Sequence, residues 1–512
     1  MRVGVDDPSV DLDVLRQDFA RQLQDCCLKG VPEWRRQSEL WQLEGLGSSS
    51  RRLPSHLKRP DGGASLDDKI QRPFLPVDVK INGDAADHAT REVAKLMSVS
   101  NARLVPIDLD TAACSFRTNT NFGFPRCTSD HDENLWYYYQ ESVRIVERGY
   151  PLADASDYPS VSTTRTQAAG YHQWAKTRAL SMYCRSVANL EKQLQVPLFR
   201  FLRELPEFVV WRGQDEVDRA MTRLLESNPG EVLSVDFTSF DASVPFEVIT
   251  RVFAIIGSWF AASSKAHVDF VAEAFMRSGS FAPVTYYHGT ERTCGIPSGS
   301  ALTSPVGGLC NLWVFHYAAF RSKKGGRMKS ACVAGDDGVM TFSGIDSIDS
   351  LSRVLLHDLG MVVKMEPSKN LVARDQVKFL QMDHHLGYRV KGICVGVRPV
   401  LRALIGMTGH ERAPKQRKCY ADDGTLLQWE GAYNTYRWLQ QLESCRFHPG
   451  VRELAHWYRA QDDMLDDALE AIRAGSDVVR VAAALLNDDG DDLGKLSVKS
   501  LQQSVIVKLL TE

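Results

Sequence analysis

The sequence predicts an α+β fold, and three observations predict it. The run Glu231-Val-Leu-Ser-Val-Asp-Phe237 follows an Asn228-Pro229-Gly230 turn and reads as a short buried strand. A second run, Ala331-Cys-Val-Ala334, enters Gly335-Asp336-Asp337 and leaves through Gly338 to Phe342, the pattern of a hairpin. On both sides of these strands lie segments with apolar residues three and four apart, the helical period. A β core between two helical regions is an α+β arrangement.

Taken in chain order, residues 1 to about 100 are mixed, and Leu46 to Ser65 reads as a loop from its Gly, Ser, Pro and Arg content. Asp130 to Met221 is largely helical in pattern, as in Leu135-Trp-Tyr-Tyr-Tyr139 followed by Val143, Ile145 and Val146. Phe246 to Phe260 has helical spacing. Ser280 to Cys294 predicts a hairpin turning at His288-Gly289. A helix over Ser304 to Phe320 takes Thr303 or Ser304 as N-cap and tolerates Pro305 in its first turn. Asp346 or Ser347 caps another, with Ile348, Leu351, Val354 and Leu355 inward and Gly360 as its stop. From about Leu401 the chain is again mainly helical, with apolar faces at Leu454, Trp457 and Tyr458 and over Val478 to Leu486. No internal repeat is seen.

With 512 residues and 44% hydrophobic side chains, the chain can bury a large core, in about two to four cooperating subdomains. The longest apolar stretch, Val252 to Ala262, falls short of a membrane span, and the N-terminus lacks a secretory pattern. A soluble intracellular protein is expected. The 11 cysteines have neither scaffold spacing nor zinc knuckles and read as reduced thiols. His384-His385 with Cys394 fits no common zinc site, so structural histidines are expected. The net charge of −3 hides a division: seven bases against one acid over Val161 to Arg203, and ten acids against two bases over Gln461 to Asp492. A basic stripe in one lobe and an acidic one in another suits a channel that tracks a phosphate backbone; the plain alternative is two solvated helix faces.

Asp236 ends a buried strand and Asp336 tips a hairpin, two places where a carboxylate leaves the core and faces a cleft. Brought together, such carboxylates can hold a pair of magnesium ions, hard cations that prefer oxygen, over a phosphoryl transfer. Gly-Asp-Asp alone is weak, since it arises by chance in roughly one chain in ten of this length. A second copy, Gly490-Asp491-Asp492, lies in an acidic stretch with no β pattern and reads as a solvated loop. The ordered set is what carries the signal.

That set is Asp-Phe-Thr-Ser-Phe-Asp-Ala-Ser (236–243), Gly-Ile-Pro-Ser-Gly-Ser-x-x-Thr-Ser (295–304) with Asn311, and Ala-Gly-Asp-Asp-Gly (334–338). It resembles motifs A, B and C of viral RNA-dependent RNA polymerases, nearest to the picornavirus-like branch with the picobirnaviruses and partitiviruses. Leu359 to Lys369 resembles motif D, Val377-Lys-Phe-Leu380 motif E, Lys176-Thr-Arg178 motif F, and Thr120-Asn-Phe-Gly123-Phe-Pro125 motif G. The matches cover about 118 to 381, roughly half the chain.

The resemblance implies a closed right hand: an N-terminal extension (1–100), fingers (101–230), palm with motif A (231–260), a fingers insertion (261–294), palm with motifs B to E (295–395), and a helical thumb and tail (396–512). It implies Asp236, Asp336 and Asp337 as metal ligands, for magnesium or manganese. Asp241 and Asn311 would read the ribose 2′-hydroxyl, and Ser298, Gly299 and Thr303 would form the adjusting loop. Lys176 and Arg178 would hold the triphosphate, with Arg165, Thr120, Gly123 and Pro125 on RNA. Lys369 would protonate the leaving pyrophosphate, with Lys364 as runner-up. Partners would be template RNA, nascent RNA, ribonucleoside triphosphates and capsid protein, in the virion interior and host cytoplasm.

Plainer readings stand beside these. Asp241 can cap the next helix, Asn311 can bond backbone, Lys369 can be merely solvated, and Arg185 can replace Arg178. Two other functions are alternatives. A reverse transcriptase typically carries a bulky residue where Asp241 stands and an aromatic or Ala where Gly335 stands. A silent RNA-binding relative would not need Asp236, Asp336, Asp337 and Asn311 intact.

Overall fold

A computed structural model describes residues 78–97, 102–116, 121–128, 132–168, 175–227, 230–277, 280–281, 292–323, 325–364, 371–400, 403, 419–420, 426–427, 438–460, 465–474 and 504–511, with backbone alone over 132–133, 156, 162–168, 175–179, 280–281, 371, 419–420, 426–427 and 471. The described chain starts with α1 (Gly83–Ala94), α2 (Leu109–Cys114) and α3 (Asp132–Glu147), then a ribbon of β1 (Ser160–Ala168) and β2 (Ala175–Met182). Helices α4 (Arg185–Leu202) and α5 (Gln214–Ser227) lead to β3 (Val232–Val235), α6 (Phe246–Trp259), α7 (Lys265–Arg277) and β4 (Ser280–Phe281). Next come α8 (Thr303–Ser322), β5 (Arg327–Ala334), β6 (Asp337–Ser343), α9 (Ile348–Leu359), β7 (Leu371–Ala373), β8 (Gln376–Phe379) and β9 (Met382–His385). Toward the end lie α10 (Val451–Arg459), α11 (Leu465–Ala474) and α12 (Val505–Thr511).

The central sheet has the order β5-β6-β3-β7, antiparallel throughout. All four residues of β3 are buried, as a middle strand covered on both faces requires. One cover is α8, whose residues Pro305 to Val314 are all buried; a helix apolar all round belongs inside a core. Two of its polar side chains are bonded to neighbouring elements. Trp313 Nε1 donates to Thr90 Oγ1 at 3.0 Å, and the Tyr317 hydroxyl donates to Asp358 at 2.7 Å while accepting from the Asn82 N–H at 2.9 Å. These bonds fasten α1 and α9 to the same helix.

The caps of α9 are as expected: Ser347 accepts from the Ser350 N–H, and Gly360 closes the helix in the left-handed conformation. Helix α8 starts one residue early. Leu302 stands at its N-cap without a side-chain bond, and Thr303 instead donates its hydroxyl back to the carbonyls of Pro297 and Ser300 at 2.7 and 2.8 Å.

One expectation needs refining. The stretch Asp130 to Met221 is not helical throughout, because β1 and β2 pair within it, Val161 opposite Met182 through Ala168 opposite Ala175. Val161, Thr163, Thr164 and Thr166 are β-branched and stiff at χ1, which favours the extended ribbon. Helices α3 and α4 on either side hide this change of period. Most of the expected hairpin over Ser280 to Cys294 (282–291) lies outside the described residues; at its ends Ser280 and Phe281 pair parallel with Ser160 and Val161, and Cys294 bridges Pro245. Its turn at His288-Gly289 lies outside the described residues, as does the apolar run Val478 to Leu486.

Candidate active site

Strand register brings the acidic residues together. Val235 pairs with Gly338, so Asp236 leaves β3 beside the point where Asp337 begins β6, and the Ala334–Asp337 pair closes a two-residue turn at Gly335-Asp336. Beyond β3 the chain pairs with 362–364: Thr238 N–H donates to Val362 O at 2.8 Å and Lys364 N–H to Asp236 O at 3.0 Å. That pairing delivers the Lys364 side chain, whose Nζ donates to Asp236 Oδ1 at 2.7 Å. Asp337 is pushed up to about 7, chiefly by burial and then by the charges of Asp336 and Asp236, with Lys364 and Lys378 opposing.

Asn311, fully buried in α8, holds the turn from behind. Its Nδ2 donates to Gly335 O at 2.9 Å, with longer contacts to the carbonyls of Asp336 and Asp337 at 3.2 and 3.4 Å. Its Oδ1 has no hydrogen-bond partner among the described residues. Asp241 is exposed in the short turn Phe240–Ala242. It caps no helix, since α6 starts after Pro245 without a side-chain cap. Its carbonyl accepts from the Ile296 N–H at 2.6 Å, which sets it against the loop leading to α8. In that loop, Ser298 Oγ accepts from the Ser181 N–H at 2.9 Å. A Cβ at Gly299 would overlap the Ser181 carbonyl, so glycine is required there by close approach.

Residues 172–403 match the family model described as viral RNA-dependent RNA polymerase. The resemblance carried by the sequence motifs is thus shown by the family model too, over a stretch just short of half the chain. A potential RNA-dependent RNA polymerase of Human picobirnavirus (strain Human/Thailand/Hy005102/-) is 28% identical over 285 residues, 54% of this chain and 49% of that one. An RNA-directed RNA polymerase of Cryptosporidium parvum virus 1 (strain KSU-1) is 30% identical over 146 residues, 27% of each. The chain thus spans about half, or less, of the curated relatives it matches. The crystal structure of a human picobirnavirus RNA-dependent RNA polymerase aligns with TM-score 0.72 and 19% identity, over 98% of this chain and 92% of that one. Its insertion-loop deletion mutant aligns with TM-score 0.70 and 18% identity, over the same shares. The fold is the right-hand polymerase fold.

Within this viral polymerase fold, the β1–β2 ribbon sets Arg165 opposite Arg178 and Gln167 opposite Lys176. Arg185 is no substitute for Arg178. It is 5% exposed, its guanidinium 3.6 Å from the centre of the Phe116 ring and 5.2 Å from that of Phe122, and burial lowers its pKa to about 10. The motif G loop is fixed by a residue not foreseen: the Tyr138 hydroxyl donates to Gly123 O at 2.7 Å and accepts from the Arg126 N–H at 3.0 Å. Gly123 has φ +73°, and a Cβ there would overlap the Tyr183 carbonyl; the Phe124–Pro125 bond beside it is cis. Thr120 and Lys369 lie outside the described residues.

Among the described residues, no group of three or more His, Cys, Asp or Glu stands ready to hold a metal. The donor chemistry nevertheless fits a hard cation: burial first, and then the charges of Asp336 and Asp236, raise Asp337, and added positive charge relieves that repulsion. His384 is engaged elsewhere, its Nε2 3.0 Å from buried Asp218, and His385 lies 3.2 Å from Asp375. Sequence reasoning ranked Lys364 second and missed Tyr138, Ser181, Glu191 and Arg292. Of these only Glu191 left a trace, as the single acid among seven bases over Val161 to Arg203.

Proposed function

We propose that this chain is an RNA-directed RNA polymerase that adds ribonucleoside monophosphates to an RNA 3′ end on an RNA template. The observation that carries the reading is the convergence of Asp236, Asp336 and Asp337 at neighbouring strand ends, backed by Asn311 and faced by the 295–303 loop. Divalent cations bound by these carboxylates, magnesium or manganese, would lower the pKa of the attacking 3′-hydroxyl and neutralise the leaving pyrophosphate.

The protein's own groups do the rest. Asn311 fixes the turn that aims Asp336 and Asp337, and its free Oδ1 and the exposed Asp241 carboxylate are acceptors for a ribose 2′-hydroxyl, the group that marks RNA chemistry. Lys176 and Arg178, on β2, hold the triphosphate, with Arg165 opposite on β1 for RNA. Lys364, at 2.7 Å from Asp236, is the described ammonium placed to give a proton to pyrophosphate. The reading extends to replication and transcription of a viral RNA genome. Incorporation of labelled ribonucleotides on single-stranded RNA, with and without magnesium, tests it beside Asp336→Ala. Metal-dependent product that the variant does not make is expected; equal product from both proteins would overturn the assignment.

A further inference from the structure

The loop before α8 is held at both ends by buried ionisable side chains that the chemistry above does not use. At its start Arg292, 6% exposed, donates to the carbonyls of Phe275 and Cys294, each at 3.3 Å, and to that of Gly295. At its far end Glu191, with no exposure, accepts through Oε2 from Ser300 Oγ at 2.7 Å and from the Ala301 N–H at 2.8 Å. Ser300 in turn accepts from the Leu302 N–H at 3.0 Å, so the carboxylate grips the turn that starts α8.

Glu191 belongs to α4, and α4 follows directly on β2. The same unit therefore touches the loop twice, through the Ser181 main chain at Ser298 and through the Glu191 side chain at Ser300 and Ala301. Between these anchors lies Gly299, pressed on the Ser181 carbonyl. A buried carboxylate is costly unless its hydrogen bonds fix something, and these fix loop backbone rather than another element of the core. Burial pushes the group up to about 7, with the Tyr183 hydroxyl beside it.

We propose that Glu191 is a positioning residue for nucleotide addition, holding Ser300 and Ala301 so that Ser298 and Gly299 stay seated on β2. The inference rests on the polymerase reading. Through it the loop beside the nucleotide and the strand that bears Lys176 and Arg178 move as one body.

The test is ribonucleotide incorporation on primed RNA by the full chain, with Asp336→Ala as the inactive control. Glu191→Ala and Ser300→Ala each raise the nucleotide KM, by about tenfold for Glu191→Ala, the worth of one buried hydrogen bond. Affinity for primed RNA stays unchanged. The double variant is no worse than Glu191→Ala, and Glu191→Gln, which keeps an acceptor of the same shape, recovers most of the loss. A nucleotide KM within about twofold of wild type in Ser300→Ala and Glu191→Ala, or fully additive losses in the double variant, overturns the proposal. If Glu191→Ala fails to fold, Ser300→Ala and Glu191→Gln decide: an unchanged KM in Ser300→Ala overturns it. An inactive wild-type chain sinks the polymerase reading and this inference with it, whereas an active one with unaltered variants sinks this inference alone.

Discussion

At the residue scale, the carboxylates work through neighbours of opposite or no charge. Lys364 is tied to Asp236 at 2.7 Å, and both side chains are about a quarter exposed, so the pair adds little stability, and its proposed role is in the chemistry. Replacing it, as Lys364→Met, should cut single-turnover incorporation by about a hundredfold with RNA affinity kept, since loss of a proton donor costs rate rather than binding. Unchanged rates would remove Lys364 from the chemistry. Asp241→Ala should relax discrimination between ribo- and deoxynucleotides. Asn311→Ala should lower the use of both, because Nδ2 also holds the Gly335 carbonyl. Competition between the two nucleotide types measures the difference, and a purely selective loss in Asn311→Ala would show that the turn does not need the amide.

Glu191 makes a separate prediction on stability. Its carboxyl is raised to about 7 from an ordinary 4.5, so the native state keeps a proton that the unfolded chain releases between those values. Stability therefore falls as pH rises through that window and stays lower above it. Tyr183, raised above its usual value, and Arg292, lowered only to about 10, keep their protonation throughout. Glu191→Gln lacks this slope and should gain on wild type between about pH 5 and pH 8 by up to about 3 kcal/mol, read from denaturant midpoints. A constant difference across that range would mean that the carboxyl titrates normally.

At the element scale, the loop 295–303 is where the sheet side and the ribbon side of the site meet. Gly299→Ala forces a methyl into the Ser181 carbonyl and should destabilise the fold by about 1 to 3 kcal/mol while lowering incorporation. Thermal unfolding and activity together check it; a variant with wild-type values in both would mean that the ribbon yields freely. Strand β3, the β5–β6 turn and α9 with its caps were legible, because each is specified by neighbours in sequence: a β-branched run, a turn between two apolar runs, Ser347 before and Gly360 after an apolar face. The β1–β2 ribbon was not. Its strands are polar and basic, so no alternation of apolar residues announced them, and the helices on either side imposed their own period on the reading.

At the scale of the whole molecule, the last helix belongs to the C-terminal helical region. In α12, Ile506, Val507 and Leu510 are buried, Arg459 of α10 donates to Leu510 O at 2.6 Å, and Ser504 just before the helix donates to Glu443 at 2.5 Å. Removing residues 504–512 should loosen this region by about 4 to 8 kcal/mol at most, from three apolar side chains returned to water. Limited proteolysis should then cut α10 and α11 sooner; unchanged protection would mean that α12 adds nothing to them.

Residue order by itself placed the candidate acidic residues and carried the resemblance to viral polymerases. Carboxylates at a strand end and a hairpin tip, a small flexible loop and a buried amide follow from local pattern, and three such segments in one order leave few reactions open. Which side chains hold them in place came from folding. Lys364 reaches Asp236 across 128 positions and Glu191 reaches Ser300 across 109, distances at which no periodicity or cap survives in the sequence. Only packing against α8 and the pairing of β3 with its neighbours bring them together, because long-range partners are chosen by burial and register and not by spacing.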